Sequence, residues 1–189
     1  MEANTFVIMG RPGSGKGTQA KLLAERFTCA VASLGTEFRH MMASDTVAGL
    51  HLTAGLNAGE LAPTWLANYL STKALVALGA GEKIVFDSGC RFLTEAVLFD
   101  EITTWLGRDY LVLYVDVAEE EIRRRVAKRG VIEGRLDDSD SALDKRIEEF
   151  NTKTLPAINY FRSKGKLLTV DGAQMVEEVY KSILNVIGV

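Results

Sequence analysis

The sequence predicts an α/β fold in which a parallel sheet is covered by helices on both faces, and three observations carry that prediction. Short apolar or β-branched runs recur at residues 5–9, 30–33, 84–87, 110–115 and 167–170, each followed by a longer segment with helical spacing. The runs are continuous rather than alternating in polarity, as expected for strands covered on two sides. The first run, Thr5-Phe6-Val7-Ile8-Met9, passes directly into Gly10-Arg11-Pro12-Gly13-Ser14-Gly15-Lys16, a glycine turn that opens a helix.

The elements follow in order. The glycine turn covers residues 10–17 and the first helix 16–27. Between residues 33 and 84, helical patches at 36–43 and 63–78 are separated by Gly49, Gly55, Gly59 and Pro63, so this stretch reads as an insertion between the second and third strands. A second break at 130–141, rich in glycine and aspartate, separates a helix ending in Arg123-Arg124-Arg125-Val126-Ala127-Lys128-Arg129 from a helix over 142–163. It reads as a mobile polar loop.

The 189 residues suit a single domain, 1–189, carrying small insertions. Hydrophobic content of 47% and charged content of 25% are those of an ordinary globular chain, which argues against disordered and membrane classes. A net charge of −3 supplies no basic field for a nucleic-acid backbone, so no nucleic-acid partner is expected and any phosphate site must be local. No apolar run reaches membrane length, and Met1-Glu2 leads almost directly into the first strand. No membrane partner is expected, and the cytoplasm is the expected compartment. Cys29 and Cys90 stand far apart with no neighbouring His or Cys cluster, which supports neither a disulfide framework nor a zinc site.

The glycine turn carries the chemistry. Consecutive backbone N–H groups in such a turn converge on phosphate oxygens, and the following helix adds the positive end of its dipole. Gly13, Ser14, Gly15, Lys16, Gly17 and Thr18 are therefore the candidate ATP-binding residues, with Lys16 as the point charge. The spacing Gly10-x4-Gly15-Lys16 fits a P-loop of Walker A type, except that Gly17 follows the lysine and Thr18 comes one place later.

With Pro12 and Gln19, this Gly-Lys-Gly-Thr loop resembles that of adenylate kinases and related nucleoside monophosphate kinases, and the resemblance runs from Phe6 to about Val179. It implies a P-loop NTPase-type sheet with an inserted monophosphate-binding segment at about 33–62 and a short lid at about 130–141. Ser33-Leu34-Gly35-Thr36-Glu37-Phe38-Arg39 is similar to the family's Ser-Thr-Gly-Asp-Leu-Leu-Arg, which would put Ser33, Gly35 and Arg39 on the acceptor monophosphate, together with Leu61. Asp87-Ser88-Gly89-Cys90-Arg91 is similar to Asp-Gly-Phe-Pro-Arg. It places Asp87 near magnesium through water and Arg91 on the acceptor phosphate. By the same resemblance Arg125 would stack near the donor base and Arg129 reach the donor phosphates. The lid-flanking stretches Gly134-Arg135-Leu136-Asp137-Asp138 and Lys145-Arg146-Ile147 carry roles over to Arg135, Asp137, Asp138 and Arg146. The lid lacks cysteine, as in the short-lid branch that holds no zinc.

The chemistry wants these residue types in any case. Phosphoryl transfer between two nucleotides crowds several negative phosphates together, and catalysis rests on positioning and on charge neutralisation by Lys, Arg and magnesium. Lys16, Arg91, Arg129, Arg135 and Arg146 are the candidate catalytic residues, because arginine's planar fork grips two oxygens at once. Arg123 and Arg124 read as a solvated helix face.

Departures from the family pattern gather on the acceptor side: Leu34 replaces a threonine, Thr36 an aspartate, Cys90 a proline, and Glu95 a base-reading glutamine. An ionised Glu95 offers acceptors only, which suits guanine's edge better than adenine's. Alternatively, Glu95 is a first-turn helix residue turned away from any base. The expected activity is transfer of the γ-phosphate of ATP to AMP, giving two ADP, with Mg2+ as cofactor and the chain a monomer. The alternatives are a kinase preferring GMP or a pyrimidine monophosphate, and a nucleotide-binding regulatory protein without turnover.

Overall fold

The computed structural model describes the backbone of residues 3–133 and 139–189 and the side chains of 3–128 and 139–189. Five strands, β1 (Thr5–Met9), β2 (Ala30–Ser33), β3 (Ile84–Asp87), β4 (Tyr110–Asp116) and β5 (Leu167–Asp171), form one sheet in the order β2-β3-β1-β4-β5. Every pairing is parallel; Thr5 of β1 sits opposite Ile84 on one side and Tyr110 on the other. The expected strands are all present, with β4 and β5 each one residue longer than their apolar runs because Asp116 and Asp171 pair at the ends.

Both faces of the sheet are covered, which is why β1 is buried along its whole length. On one face α1 (Lys16–Phe27), α6 (Glu119–Glu133) and α9 (Val176–Ile187) close over Ile8, Leu23, Leu113, Ile122 and Ile183. On the other, α4 (Thr64–Val76), α5 (Leu93–Trp105) and α8 (Leu155–Ser163) pack on Val7, Phe86, Val112, Ile158 and Phe161. There the Phe86, Phe99 and Tyr110 rings meet edge to face at 5.5 Å, a geometry that adds to the burial of their area.

The stretch between β2 and α4 forms α2 (Leu34–Met42) and α3 (Val47–Asn57), which share a small core of Leu34, Phe38, Leu52, Ala62 and Leu66. Gly49 and Gly55, expected as punctuation, instead lie inside α3. Gly49 is needed there because the helix starts hard against the end of α2, where a Cβ would come within 2.4 Å of the Met41 carbonyl oxygen. The Thr46 hydroxyl caps this start by accepting from Gly49 N at 3.1 Å.

Two further expectations are corrected. Helix α6 runs through Gly130 to Glu133, since one helical glycine costs only about 1 kcal/mol. The expected single helix over 142–163 is α7 (Asp140–Glu149), a π-helical segment (Phe150–Thr154) and α8. Pro156 explains the break: in regular α-helix its ring would meet the carbonyl of Thr152, and the wider turn relieves that clash.

Candidate active site

Asp87 ends β3, the glycine turn ends β1, and both lie at the carboxyl edge of the sheet, where open α/β folds place ligands. The turn is shaped by positive φ at Gly13 (79°) and Gly15 (88°), and Gly15 is the N-cap of α1. Gly17 has a packing reason: a Cβ there would lie 3.2 Å from Asp87 Oδ2, so the glycine lets the first turn of α1 approach the carboxylate. Lys16 Nζ donates to the Arg11 carbonyl at 3.4 Å. The Ser14 hydroxyl is buried and has no hydrogen-bond partner among the described residues, while Gln19 anchors α1 by donating to Val176 O at 2.9 Å.

Arg11 was not singled out by sequence, yet it clamps the turn. Its Nη1 donates to Tyr114 Oη (3.4 Å), Asp116 Oδ1 (3.3 Å) and Val117 O (3.3 Å), and its guanidinium lies 4.9 Å above the Phe150 ring. The carbonyl that holds Lys16 is thereby fixed to the end of β4 and to the π-helical segment. Burial and the bond to Asp116 push the Tyr114 phenol up to about 12, so it stays protonated in this cluster at neutral pH.

Below the turn opens a cavity of about 320 Å³, within the range of small-molecule pockets. Lys16, Arg39, Arg91 and Arg146 bring four cationic side chains to its wall, and Gly35 and Leu61 also line it. Phe38, Met42 and Leu56 supply an apolar side, with Asn57 and Glu60 as polar groups, and Phe150 and Thr154 close the π-helical end. Sequence reading did not assign these seven residues. Their only signal was a position inside the acceptor insertion or beside the Lys145-Arg146 stretch.

Asp87 Oδ2 accepts a hydrogen bond from Ser33 Oγ at 3.2 Å, joining two expected site residues. Beyond Asp87 the backbone doubles back through left-handed conformations at Ser88 (φ 65°) and Cys90 (φ 54°), each costing roughly 1–2 kcal/mol for a residue with a side chain. This turn puts Ser88, Gly89 and Arg91 on the cavity wall. Burial lowers the Arg91 pKa, and the charges of Glu95 and Asp87 oppose that loss. Burial also pushes the Cys90 thiol well above its ordinary range, with the Glu95 charge adding to the rise, so it is an inert core group.

Glu95 does not line the cavity. It is 4% exposed, and its Oε2 accepts from Arg91 N at 2.7 Å and Phe92 N at 3.4 Å, capping the start of α5. Burial raises its pKa, while the two backbone donors and the Arg91 charge pull it back. The expectation that Glu95 reads the acceptor base therefore meets a carboxylate already engaged with backbone, and its first-turn helix reading fits the geometry.

On the donor side, Arg125 Nε pairs with Glu121 Oε1 at 2.6 Å and its Nη2 donates to Ala173 O at 3.2 Å, in the loop between β5 and α9. Arg123 and Arg124 are tied to acidic neighbours on the exposed face, as expected. The side chain of Arg129, and all of Arg135, Asp137 and Asp138, lie outside the described residues, as do the side chains of the expected lid from 130 to 138. Among the described residues no three His, Cys, Asp or Glu side chains group as a metal cage. No helix there is long and apolar enough to cross a membrane.

Comparison with known proteins agrees with this architecture. Residues 8–166 match the family model described as adenylate kinase. The chain is 34% identical over 184 residues to an adenylate kinase of Thermus thermophilus, covering 97% of this chain and 96% of that protein. It is 31% identical over 180 residues to an adenylate kinase of Leptospira biflexa, covering 95% and 97% respectively. An adenylate kinase of Thermobifida fusca is 32% identical over 174 residues, with 92% of each covered. With a parallel sheet, a phosphate turn and an arginine-walled cavity in place, and with likeness running end to end, the chain belongs to the adenylate kinase family.

Proposed function

We propose that this chain transfers the γ-phosphate of ATP to AMP and releases two ADP. The observation that carries the reading is the convergence of Lys16, Arg39, Arg91 and Arg146 on one cavity directly behind the phosphate turn. A binder of one nucleotide has no need of cations on both sides of a transferred group. In this mechanism the turn's amides and Lys16 hold the donor phosphates, and Arg39 and Arg91 hold the acceptor phosphate with Ser33, Gly35 and Leu61 around it. A phosphate oxygen of AMP attacks the γ-phosphorus in line, the bond to the β-phosphate oxygen breaks, and ADP leaves with that oxygen's electron pair. Arg146, with Arg129 and Arg135, offsets the charge that spreads over the transferred group, and no enzyme-bound intermediate forms.

The donor set suits magnesium, which keeps several of its waters and needs few protein ligands: Asp87 is a single carboxylate at the turn, and the absent side chain at Gly17 leaves room beside it. Asp87, through water, is the residue that would hold the ion. Held there, the ion would neutralise part of the charge on the donor phosphates. The unpaired cysteines fit a reducing cytoplasm. The GMP reading rested on Glu95 as a base acceptor and loses that basis with the carboxylate on Arg91 N.

The test is a pair of variants. Lys16→Met is expected to lower kcat by roughly 10²–10³-fold or more with the melting temperature kept. Arg91→Ala is expected to raise the KM for AMP far more than that for ATP. Near-normal rates in both would overturn the assignment.

A further inference from the structure

Thr36 stands where the family pattern has an aspartate, and it occupies the middle of a hydrogen-bonded chain. Arg39 Nη2 donates to Thr36 Oγ1 at 3.0 Å, Thr36 Oγ1 donates to Ser33 Oγ at 3.1 Å, and Ser33 Oγ donates to Asp87 Oδ2 at 3.2 Å. The ends fix its direction, since a guanidinium only donates and an ionised carboxylate only accepts, while each hydroxyl between them donates one proton and accepts another. An aspartate at 36 could accept from Arg39 but has no proton for Ser33, and it would set a second carboxylate two hydrogen bonds from Asp87. A valine would end the chain outright. Arg39 Nη1 lies 3.5 Å from the Cβ position of Gly35, an ordinary contact distance, so the guanidinium is folded back over the first turn of α2.

We infer that Thr36 is a positioning residue of the acceptor site, holding Arg39 at the cavity through a hydrogen-bonded chain that runs by Ser33 to Asp87. The inference rests on the assignment of Arg39 to the acceptor monophosphate. Arg39 is otherwise a solvent-exposed, four-torsion side chain, and the Thr36 hydroxyl accepts a hydrogen bond that orders its tip. Because the chain has charged groups at both ends, each bond in it polarises the next.

The experiment compares Thr36→Val, which keeps the shape and removes the hydroxyl, with Thr36→Ser, which keeps the hydroxyl, with Ser33→Ala, and with the double variant Ser33→Ala/Thr36→Val. KM is measured separately for AMP and ATP, and AMP binding is measured by calorimetry in EDTA. Thr36→Val is expected to weaken AMP in both measurements by about tenfold, or about 1.4 kcal/mol, and to leave the KM for ATP within about twofold. Thr36→Ser is expected to restore AMP affinity, and the double variant to be no weaker than the poorer single one, because either change cuts the same chain. AMP affinity unchanged in Thr36→Val, equal losses for ATP and AMP, or no rescue by serine would each overturn the inference. Turnover of the unaltered protein tests the AMP assignment separately; should another monophosphate be the acceptor, the same comparison is read with it, since the chain addresses the phosphate and not the base.

Discussion

Glu95 fills the N3 position of α5, where backbone N–H groups at the helix start lack helical partners and a carboxylate can accept from them. Burial makes the charge costly, and its pKa ends above the ordinary glutamate value despite the two donors. The sign follows: with the folded pKa raised, protonation favours the folded state, so this group's contribution to stability falls as pH rises from about 4.5 through the folded value. Glu95→Gln keeps an acceptor for Arg91 N and removes the charge. We expect it to melt at or above the unaltered protein's temperature at neutral pH, with the difference shrinking toward pH 4, whereas Glu95→Ala should lose about 1–2 kcal/mol. Neither should change the preference among acceptor bases. Thermal melts across pH and an AMP-to-GMP rate ratio check both points; a ratio reversed by Glu95→Gln would restore Glu95 to the base site. The same residue shows what sequence leaves open, because a carboxylate four residues after an arginine fits a base edge and a helix cap equally well until the backbone is placed.

At the scale of elements, the acceptor segment and α7 meet at a close backbone approach. Gly59, with φ of 83°, lies in the link between α3 and α4, and a Cβ there would sit 2.5 Å from the Ala142 carbonyl oxygen. Gly59→Ala should therefore push the acceptor segment off α7 as well as strain its own backbone. Gly81→Ala provides the control, since Gly81 has φ of 79° with nothing within 4 Å of its Cβ position. Both should lower stability by about 1 kcal/mol or somewhat more from the left-handed backbone. Only Gly59→Ala should raise the KM for AMP, by severalfold or more, in a direct comparison of kinetics; equal KM values in the two variants would show that the approach has no bearing on the site. Strand positions were legible because both-face burial writes continuous apolar runs. Helix α3 was not, since Gly49 and Gly55 read as breaks until the packing of α3 on α2 shows why a side chain is excluded at Gly49. The π-helical segment was marked in sequence only by Pro156.

For the whole molecule, a doubly covered sheet brings residues from far apart in sequence to one edge, where Lys16, Arg39, Arg91 and Arg146 share a cavity. Lys16 was legible because phosphate chemistry demands a cation at the glycine turn, and Arg39, Arg91 and Arg146 because their segments resemble the adenylate kinase pattern. Phe38, Met42, Leu56 and Asn57 were not, because apolar and amide side chains carry no such demand and take their role from the packing of the insertion. Arg11 likewise hid inside the phosphate motif, its value lying in contacts to β4 and Phe150 that no spacing rule encodes. The central claim is transfer from ATP to AMP within this one cavity, and it is tested most directly by a diphosphate-release assay with ATP and magnesium across AMP, GMP, CMP, UMP and their deoxy forms. The account predicts that AMP gives the highest kcat/KM and that two ADP appear for each AMP consumed. ATP binding without turnover of any acceptor, or a clear preference for GMP or a pyrimidine monophosphate, would contradict it.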